Sequence, residues 1–93
     1  PVKQAVQTLS AEEQMEEFMF LGLRITEGIS LRRFRETFGR TVEEVYAGPV
    51  EKLTHEGLLE RYSQEKNGVH EEFLKLTDYG IDVSNYALSE FLF

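Results

Sequence analysis

The chain has 93 residues, with 17 acidic and 10 basic side chains and a formal net charge of −7. This length suits one small domain, and the negative charge disfavours polyanionic partners such as nucleic acids and anionic membranes. Cysteine is absent, so the chain alone cannot build a disulfide, a thiolate zinc site or an iron–sulfur cluster. With no signal peptide and no apolar run of ~20 residues, a cytoplasmic location and no membrane span are expected.

The first helix is predicted to follow a polar lead-in, residues 1–10, which we expect to be flexible. Ser10-Ala-Glu-Glu13 has the spacing of a capping box, which starts a helix, and Glu27-Gly28 is predicted to end it. Phe20 and Leu21 lie off the main apolar stripe, so apolar side chains occupy most of the circumference of the helix. Such a helix is expected to pack against other residues on two sides. The main stripe contains Met15, Phe18, Met19, Gly22 and Leu23.

Two further helices are predicted in the middle of the chain. Ser30 can cap a short helix that ends at Phe38, with Gly39 as its left-handed C-terminal residue. Thr41-Val-Glu-Glu44 is a second capping box and starts a third helix that runs to Gly57. Gly48-Pro49 should kink this helix or divide it, because proline removes a helical N–H and clashes with the preceding turn. The inward positions are predicted to be Val42, Val45, Tyr46, Val50 and Leu53.

A β-hairpin and a last helix complete the predicted domain, residues 11–93. Strands are expected over 58–62 and 72–76, with Asn67-Gly68 as a two-residue turn. That turn would place Tyr62 opposite Phe73 and Glu60 opposite Lys75. Thr77 can cap a helix that contains Val83, Tyr86, Leu88 and Phe91. The predicted class is mainly α with a hairpin (α+β), in a winged-helix-like order of three helices, a wing and a C-terminal helix.

The chemistry of the side chains indicates no active site in this chain. His55 and His70 lie on different predicted elements without cysteine partners, which disfavours zinc. Met15 and Met19 are one helical turn apart and could ligate haem iron, but packing in the core is the more common role of methionine. The third helix carries four glutamates against one lysine, the wrong sign for a DNA-reading helix.

The residues of several ordered blocks resemble a known family. "EEFMFLGLRITEGISLRRFRETFG", "EEVY", "VEKLTHEGLLE" and "LTDYGIDVSNYALSEFLF" are similar to the C-terminal domain of oxygen-independent coproporphyrinogen III oxidase-like radical-SAM proteins. The first and last blocks look closer to the haem-chaperone branch. The resemblance implies a parent whose N-terminal barrel holds a [4Fe-4S] cluster and S-adenosylmethionine. This chain, which begins at Pro1 and lacks cysteine, is expected to be a piece of such a protein and to have no cofactor of its own.

The resemblance implies an accessory role, in which the domain packs on the barrel and helps to bound a cleft for porphyrinogen or haem. By position in the matching blocks, Arg24 and Asn85 are candidates for interdomain or substrate-side contacts. Arg33 joins them because a guanidinium suits the carboxylates of porphyrins. Two alternatives remain open at this point, a stand-alone winged-helix transcriptional regulator and a protein-interaction module without a ligand.

The two-sided first helix leads to a specific expectation about the surface. If one side closes the core and the other abuts a missing barrel, the isolated domain should expose an apolar interface patch. The residues from which this patch is predicted to be drawn are Phe20, Leu21, Tyr86, Phe91 and Phe93.

Overall fold

The structure, a computed structural model, describes residues 9–93. The predicted flexible lead-in therefore lies almost wholly outside the described residues. Five helices and three strands follow one another along the described part of the chain. They are α1 (Ala11–Leu23), β1 (Ile29–Ser30), α2 (Leu31–Phe38), α3 (Val42–His55), β2 (Leu59–Lys66), β3 (Val69–Leu76), α4 (Asp78–Asp82) and α5 (Ser84–Ser89).

The sheet is antiparallel and has the strand order β1-β3-β2. Tyr62 pairs with Phe73 and Glu60 with Lys75, as predicted. The hairpin strands are longer than predicted, because their ladder continues to the tight turn at Asn67, where φ is +52°. The α+β class is confirmed, whereas the closer likeness to a winged helix stays a prediction.

Local capping signals determine where the helices start. Both predicted capping boxes are formed, since the Ser10 and Thr41 hydroxyls accept from the N–H groups of Glu13 and Glu44 at 3.1 Å. Each glutamate carboxylate accepts in return from the backbone N–H of its cap residue. The predicted caps at Ser30 and Thr77 and the left-handed Gly39 are also present.

The end of α1 was predicted four residues too late. The helix ends at Leu23 rather than at Glu27-Gly28, because the chain must turn to bring Ile29 into the sheet. Gly28 has a φ of +79° and packs so closely on the backbone of Leu74 that a Cβ atom would overlap the carbonyl oxygen. Only glycine combines that φ with that contact.

Two further differences from the prediction concern α3 and the C-terminal helices. The kink in α3 lies at Tyr46 (φ −125°, ψ 31°), three residues before Pro49, whose ring would otherwise clash with the carbonyl group of Val45. The predicted single C-terminal helix is divided into α4 and α5 at Val83, whose dihedral angles are not helical. Phe91 follows α5 and reaches the core.

One continuous core joins the helices to the inner face of the sheet. Its members contact one another across α1, α2, α3, the sheet and the C-terminal segment, which is expected when one small domain buries its apolar residues. Val45, predicted to point inward, is half-buried, and the other four inward residues of α3 are buried. The largest fully buried side chains are those of Met19, Leu23, Phe34, Leu53, Leu59, Leu74, Leu88 and Phe91.

Candidate functional site

The first helix has two apolar faces, as the sequence predicted. Met15, Met19 and Leu23 form the first face and are at most 5% exposed, so this face belongs to the core. Leu21 and Ile25, on the helix and just beyond its end, are 61% and 58% exposed. Leu21 and Ile25 line the same side of the molecule, since both border one groove. The second face is therefore left open to solvent within this domain.

An open groove lies beside the second face of α1. It has a volume of about 560 Å³ and runs between α1, the turn into β1, α2 and Phe73 of β3. We call it the α1–α2 groove, and its lining contains both apolar and charged side chains. Its lining includes Gln14, Glu17, Phe18, Leu21, Ile25, Glu27, Arg33, Phe38 and Phe73.

Aromatic side chains line much of the groove. The ring of Phe18 makes edge-to-face contacts with Phe34 and Phe38, at centroid distances of 5.4 and 5.7 Å. Phe34 is fully buried, so these contacts anchor the half-buried Phe18 and Phe38 to the core. Edge-to-face pairs of this kind contribute ~0.5–1.5 kcal/mol beyond area burial. The aromatic lining is thus held by the core and does not depend on a ligand.

A stacked aromatic pair supports the sheet beside the groove. Tyr62 and Phe73 face each other across β2 and β3 with ring centroids 5.1 Å apart. The Tyr62 hydroxyl donates a hydrogen bond of 2.7 Å to the carbonyl oxygen of Glu27, in the turn before β1. Partial burial, with a smaller contribution from the Glu27 carboxylate, raises the pKa of Tyr62 above its ordinary value. The phenol therefore stays a neutral donor and holds the turn against the hairpin.

Arg33 is the one guanidinium that lines the groove within the described residues. It lies in the first turn of α2, where its backbone N–H donates to the Ser30 hydroxyl at 3.1 Å. The ion pairs found in residues 9–93 do not include Arg33. Its exposed side chain can therefore meet an anion that enters the groove.

A second apolar surface lies at the C-terminal helices. Tyr79, Ile81, Val83 and Tyr86 are 37–64% exposed, and we call these four residues the C-terminal surface. Three of them line a smaller groove of about 290 Å³ together with Glu56 and Leu58. The Tyr86 hydroxyl already hydrogen-bonds to the Glu56 carboxylate, at 3.0 Å to its nearer oxygen.

The five residues of the predicted interface patch do not form one surface. Leu21 lines the α1–α2 groove, whereas Tyr86 lies on the C-terminal surface. Phe93 is 56% exposed and packs against Tyr46, and Phe20 is half-buried. The prediction was wrong for Phe91, which is fully buried because its ring packs edge-to-face on Tyr46 at 5.1 Å.

The three predicted polar contact residues are also separate. Arg24 is the C-cap of α1, with its guanidinium 6.0 Å from the ring centroid of Phe20. Asn85 is exposed in α5. Of the three, Arg33 alone lines the α1–α2 groove. The three candidates thus lie on three different elements, and their predicted contacts stay a prediction.

A buried tyrosine was assigned to the core by the sequence, but its hydroxyl environment was not foreseen. Tyr46 is 3% exposed and its hydroxyl has no hydrogen-bond partner among the described residues. Burial, with smaller contributions from the Glu16 and Glu12 carboxylates, raises the pKa of this phenol. The available sequence signal was Pro49, because a proline displaces the backbone of the turn before it, where Tyr46 lies.

An ion pair joins α3 to the hairpin. Arg61 on β2 contacts Glu43 on α3 at 2.6 Å and Glu72 on β3 at 3.4 Å. Arg61 is therefore already neutralised by carboxylates and is poorly placed to bind phosphate.

Within residues 9–93, no group of three or more histidine or acidic side chains has the geometry to hold a metal ion. No helix in this part of the chain is both long and apolar enough to cross a bilayer.

Comparison with known sequences places this small α+β domain in a family. Residues 9–83 match the model of the HemN C-terminal domain, and the chain belongs to that family. It is 43% identical over 51 residues to the heme chaperone HemW of Bacillus subtilis (strain 168), an alignment that covers 55% of this chain and 14% of the relative. It is 30% identical over 86 residues to the heme chaperone HemW of Lactococcus lactis subsp. lactis (strain IL1403).

The second alignment covers 92% of this chain but 21% of the relative. The chain thus spans about one-fifth of the length of that protein. No solved structure matches the chain at a significant level. The family that the sequence blocks predicted is confirmed.

Proposed function

We propose that this chain is a non-catalytic accessory domain of a longer, haem-chaperone-like radical-SAM protein. In that protein the domain packs on the N-terminal barrel and helps to bound the cleft that receives the tetrapyrrole. The observation that carries the proposal is an alignment over 92% of this chain with a heme chaperone of which it covers 21%. The exposed second face of α1 supports it, because large apolar side chains on a surface often mark an interface.

The cofactors of this proposed parent belong to its other domain. A [4Fe-4S] cluster needs thiolate ligands, and this chain has no cysteine, so its residues do not fit the cluster. Haem is favoured over coproporphyrinogen as the tetrapyrrole because both relatives described above are heme chaperones. The cytoplasmic location remains part of this proposal.

Limited proteolysis of the longer protein tests the accessory role. A site for a specific protease is introduced between the N-terminal region and residue 9, the protein is cleaved, and the products are separated by gel filtration. We expect the two parts to elute together, because interdomain interfaces commonly bury ~600–1,500 Å². Uncleaved protein is the control. Complete separation at micromolar concentration, with both parts folded by circular dichroism, would refute the packing.

Haem binding is measured on the same material. The N-terminal region with the domain attached should retain haem longer than the N-terminal region alone, because the domain helps to close the cleft. Equal rates of haem loss to an acceptor such as apomyoglobin would remove the cleft-bounding role and leave a purely structural one.

A further inference from the structure

We infer that the α1–α2 groove is the surface on which the N-terminal region docks, and that the region inserts an apolar segment with a carboxylate that pairs with Arg33. This inference rests on the proposed function and specifies which surface performs it. The alternatives are the C-terminal surface, a second copy of the chain and a small ligand.

The apolar pattern of α1 supports this choice. The core requires Met15, Met19 and Leu23, which are almost completely buried. It does not require Leu21 and Ile25, each of which is more than half exposed at the open edge of an aromatic-lined groove. A covering segment would remove these side chains from water together with the exposed parts of the groove lining. Their apolar character is therefore explained by a partner and not by the fold of this chain.

The guanidinium of Arg33 indicates where in the groove the partner would carry a carboxylate. Glu17 and Glu27 also line the groove, but neither is paired with Arg33 within the described part of the chain. By contrast, the neighbouring Arg32 lines a different depression together with Glu43, Glu71 and Glu72. Neither arginine takes part in an ion pair of the described residues, so the two differ in position: an incoming carboxylate in the α1–α2 groove can meet Arg33 and not Arg32. Arg32 is therefore a matched control.

The position of the groove along α1 suits a covalently attached partner. The lining begins at Gln14, three residues after the start of the helix at Ala11. At a rise of 1.5 Å per residue, Leu21 lies about 15 Å from that start. In a longer protein, the polypeptide that precedes this domain enters at the N-terminal end of α1, and the groove extends from near that end to beyond Leu23. Docking is then intramolecular and occurs at a high effective concentration, even when the contact is small.

The C-terminal surface is less suited to a dry interface. Two of its four residues are tyrosines, and the hydroxyl of Tyr86 is already directed to an exposed carboxylate, that of Glu56. Phenol groups remain compatible with water, whereas exposed leucine and isoleucine side chains do not form hydrogen bonds. Ile81 on this surface is 53% exposed, which is close to the exposure of Leu21 and Ile25. It provides a control position of similar accessibility.

Site-specific photo-cross-linking in the full-length protein tests the inference. A benzophenone amino acid replaces Leu21, Ile25 or Ile81 in separate preparations, and the cross-linked residues are identified by mass spectrometry. Mixing light and heavy isotope-labelled protein separates cross-links within one molecule from those between copies. We expect positions 21 and 25 to cross-link to the N-terminal region of the same molecule, and position 81 to do so at least about tenfold less.

The possible results distinguish this inference from the function on which it rests. Cross-links to the N-terminal region from position 81, but not from 21 or 25, would overturn the groove assignment and leave the accessory role intact. The absence of such cross-links from all three positions would overturn the inference and count against the accessory role as well. Cross-links between two copies of the protein would overturn the groove assignment. Cross-links that reach only residues of this domain, and none of the N-terminal region, would overturn it as well.

Arg33→Glu and Arg32→Glu form the second test. The fraction of the domain that remains with the N-terminal region after proteolytic cleavage is measured for each variant in a dilution series. Arg33→Glu should weaken the association by on the order of tenfold or more, as expected when a charged interface residue is reversed. Arg32→Glu should change it less than about twofold. Equal effects of both variants, or none from Arg33→Glu, would remove the paired carboxylate from the inference.

Discussion

Replacement of Phe91 by alanine tests the corrected division between core and surface. The side chain is fully buried, and its ring packs edge-to-face on Tyr46 at an interplanar angle of 79°. Phe91 closes the core from the end of the chain, after α5. Leu21, the matched control, belonged to the same predicted patch but is 61% exposed.

The expected loss of stability is large compared with the total. A buried phenylalanine replaced by alanine costs about 3–5 kcal/mol, which includes the cavity left behind. A domain of this size has about 5–14 kcal/mol of stability in all. The melting temperature should therefore fall by at least about 12 °C, since 1 kcal/mol shifts it by ~4–8 °C in a domain of this size. Leu21→Ala should change the free energy of unfolding by less than ~0.5 kcal/mol.

Urea denaturation of the isolated chain, followed by circular dichroism at 222 nm, measures both variants. With an m value of ~1–3 kcal/mol/M, Phe91→Ala should lower the midpoint by about 1 M or more or leave the chain unfolded without urea. Leu21→Ala should have the midpoint of the unmodified chain. If the two variants have equal midpoints, or if Leu21→Ala is the less stable one, the division between core and open face described above is incorrect.

Three further predictions concern other parts of the chain. Gly80→Ala should destabilise the domain by ~1–3 kcal/mol in the same assay, because its Cβ atom would overlap the Leu58 carbonyl oxygen, whereas Gly48→Ala has free space and should not destabilise it. The backbone N–H of Thr41 donates to Glu44 and lowers the pKa of this carboxyl group, so its contribution to stability is complete above pH ~4.3 and is lost as the pH falls through the lowered pKa. Glu44→Gln should therefore make the acid dependence of the urea midpoint less steep, and an unchanged slope would contradict this. Fluorescence anisotropy with duplex DNA should give a Kd weaker than ~10⁻⁴ M at physiological salt, and saturable micromolar binding would restore the regulator hypothesis.

The parts of the fold that the sequence predicted are those controlled by local chemistry. Helix starts were predictable because Ser10 and Thr41 have a glutamate three residues later, and a capping box needs only those few residues. The strand register was predictable for the same reason, since the Asn67-Gly68 turn fixes which residues face each other. Neither feature depends on the rest of the chain.

The features that the sequence did not predict depend on distant contacts. Strand β1 consists of two residues and exists only because Ile29 and Ser30 pair with β3, more than forty residues later. The early end of α1 has the same cause, since the chain must leave the helix to reach that strand. No periodic pattern can form in two residues, so sequence analysis had no signal for it.

The candidate site was predicted in part. The two-sided first helix was recognised from its apolar girth, and Leu21 is exposed as expected. The position of Phe91 could not be derived from spacing, because the break at Val83 changes the direction of the chain after α4. Phe38 and Phe73 were not associated with the site, since they are brought to the groove by α2 and β3 and lie far apart in the sequence.

The C-terminal segment covers one face of α1 and leaves the other face open to solvent. Phe91 packs on Tyr46 in the kinked part of α3, and the backbone N–H of Phe93 donates to the Glu16 carboxylate of α1 at 2.8 Å. These contacts tie the end of the described chain to α1 and α3, beside the core face that contains Met15 and Met19. The core face is thus closed by residues of this chain, so truncating them should reduce stability. The groove face has no such cover, and truncating Leu21 there should instead affect association with the N-terminal region.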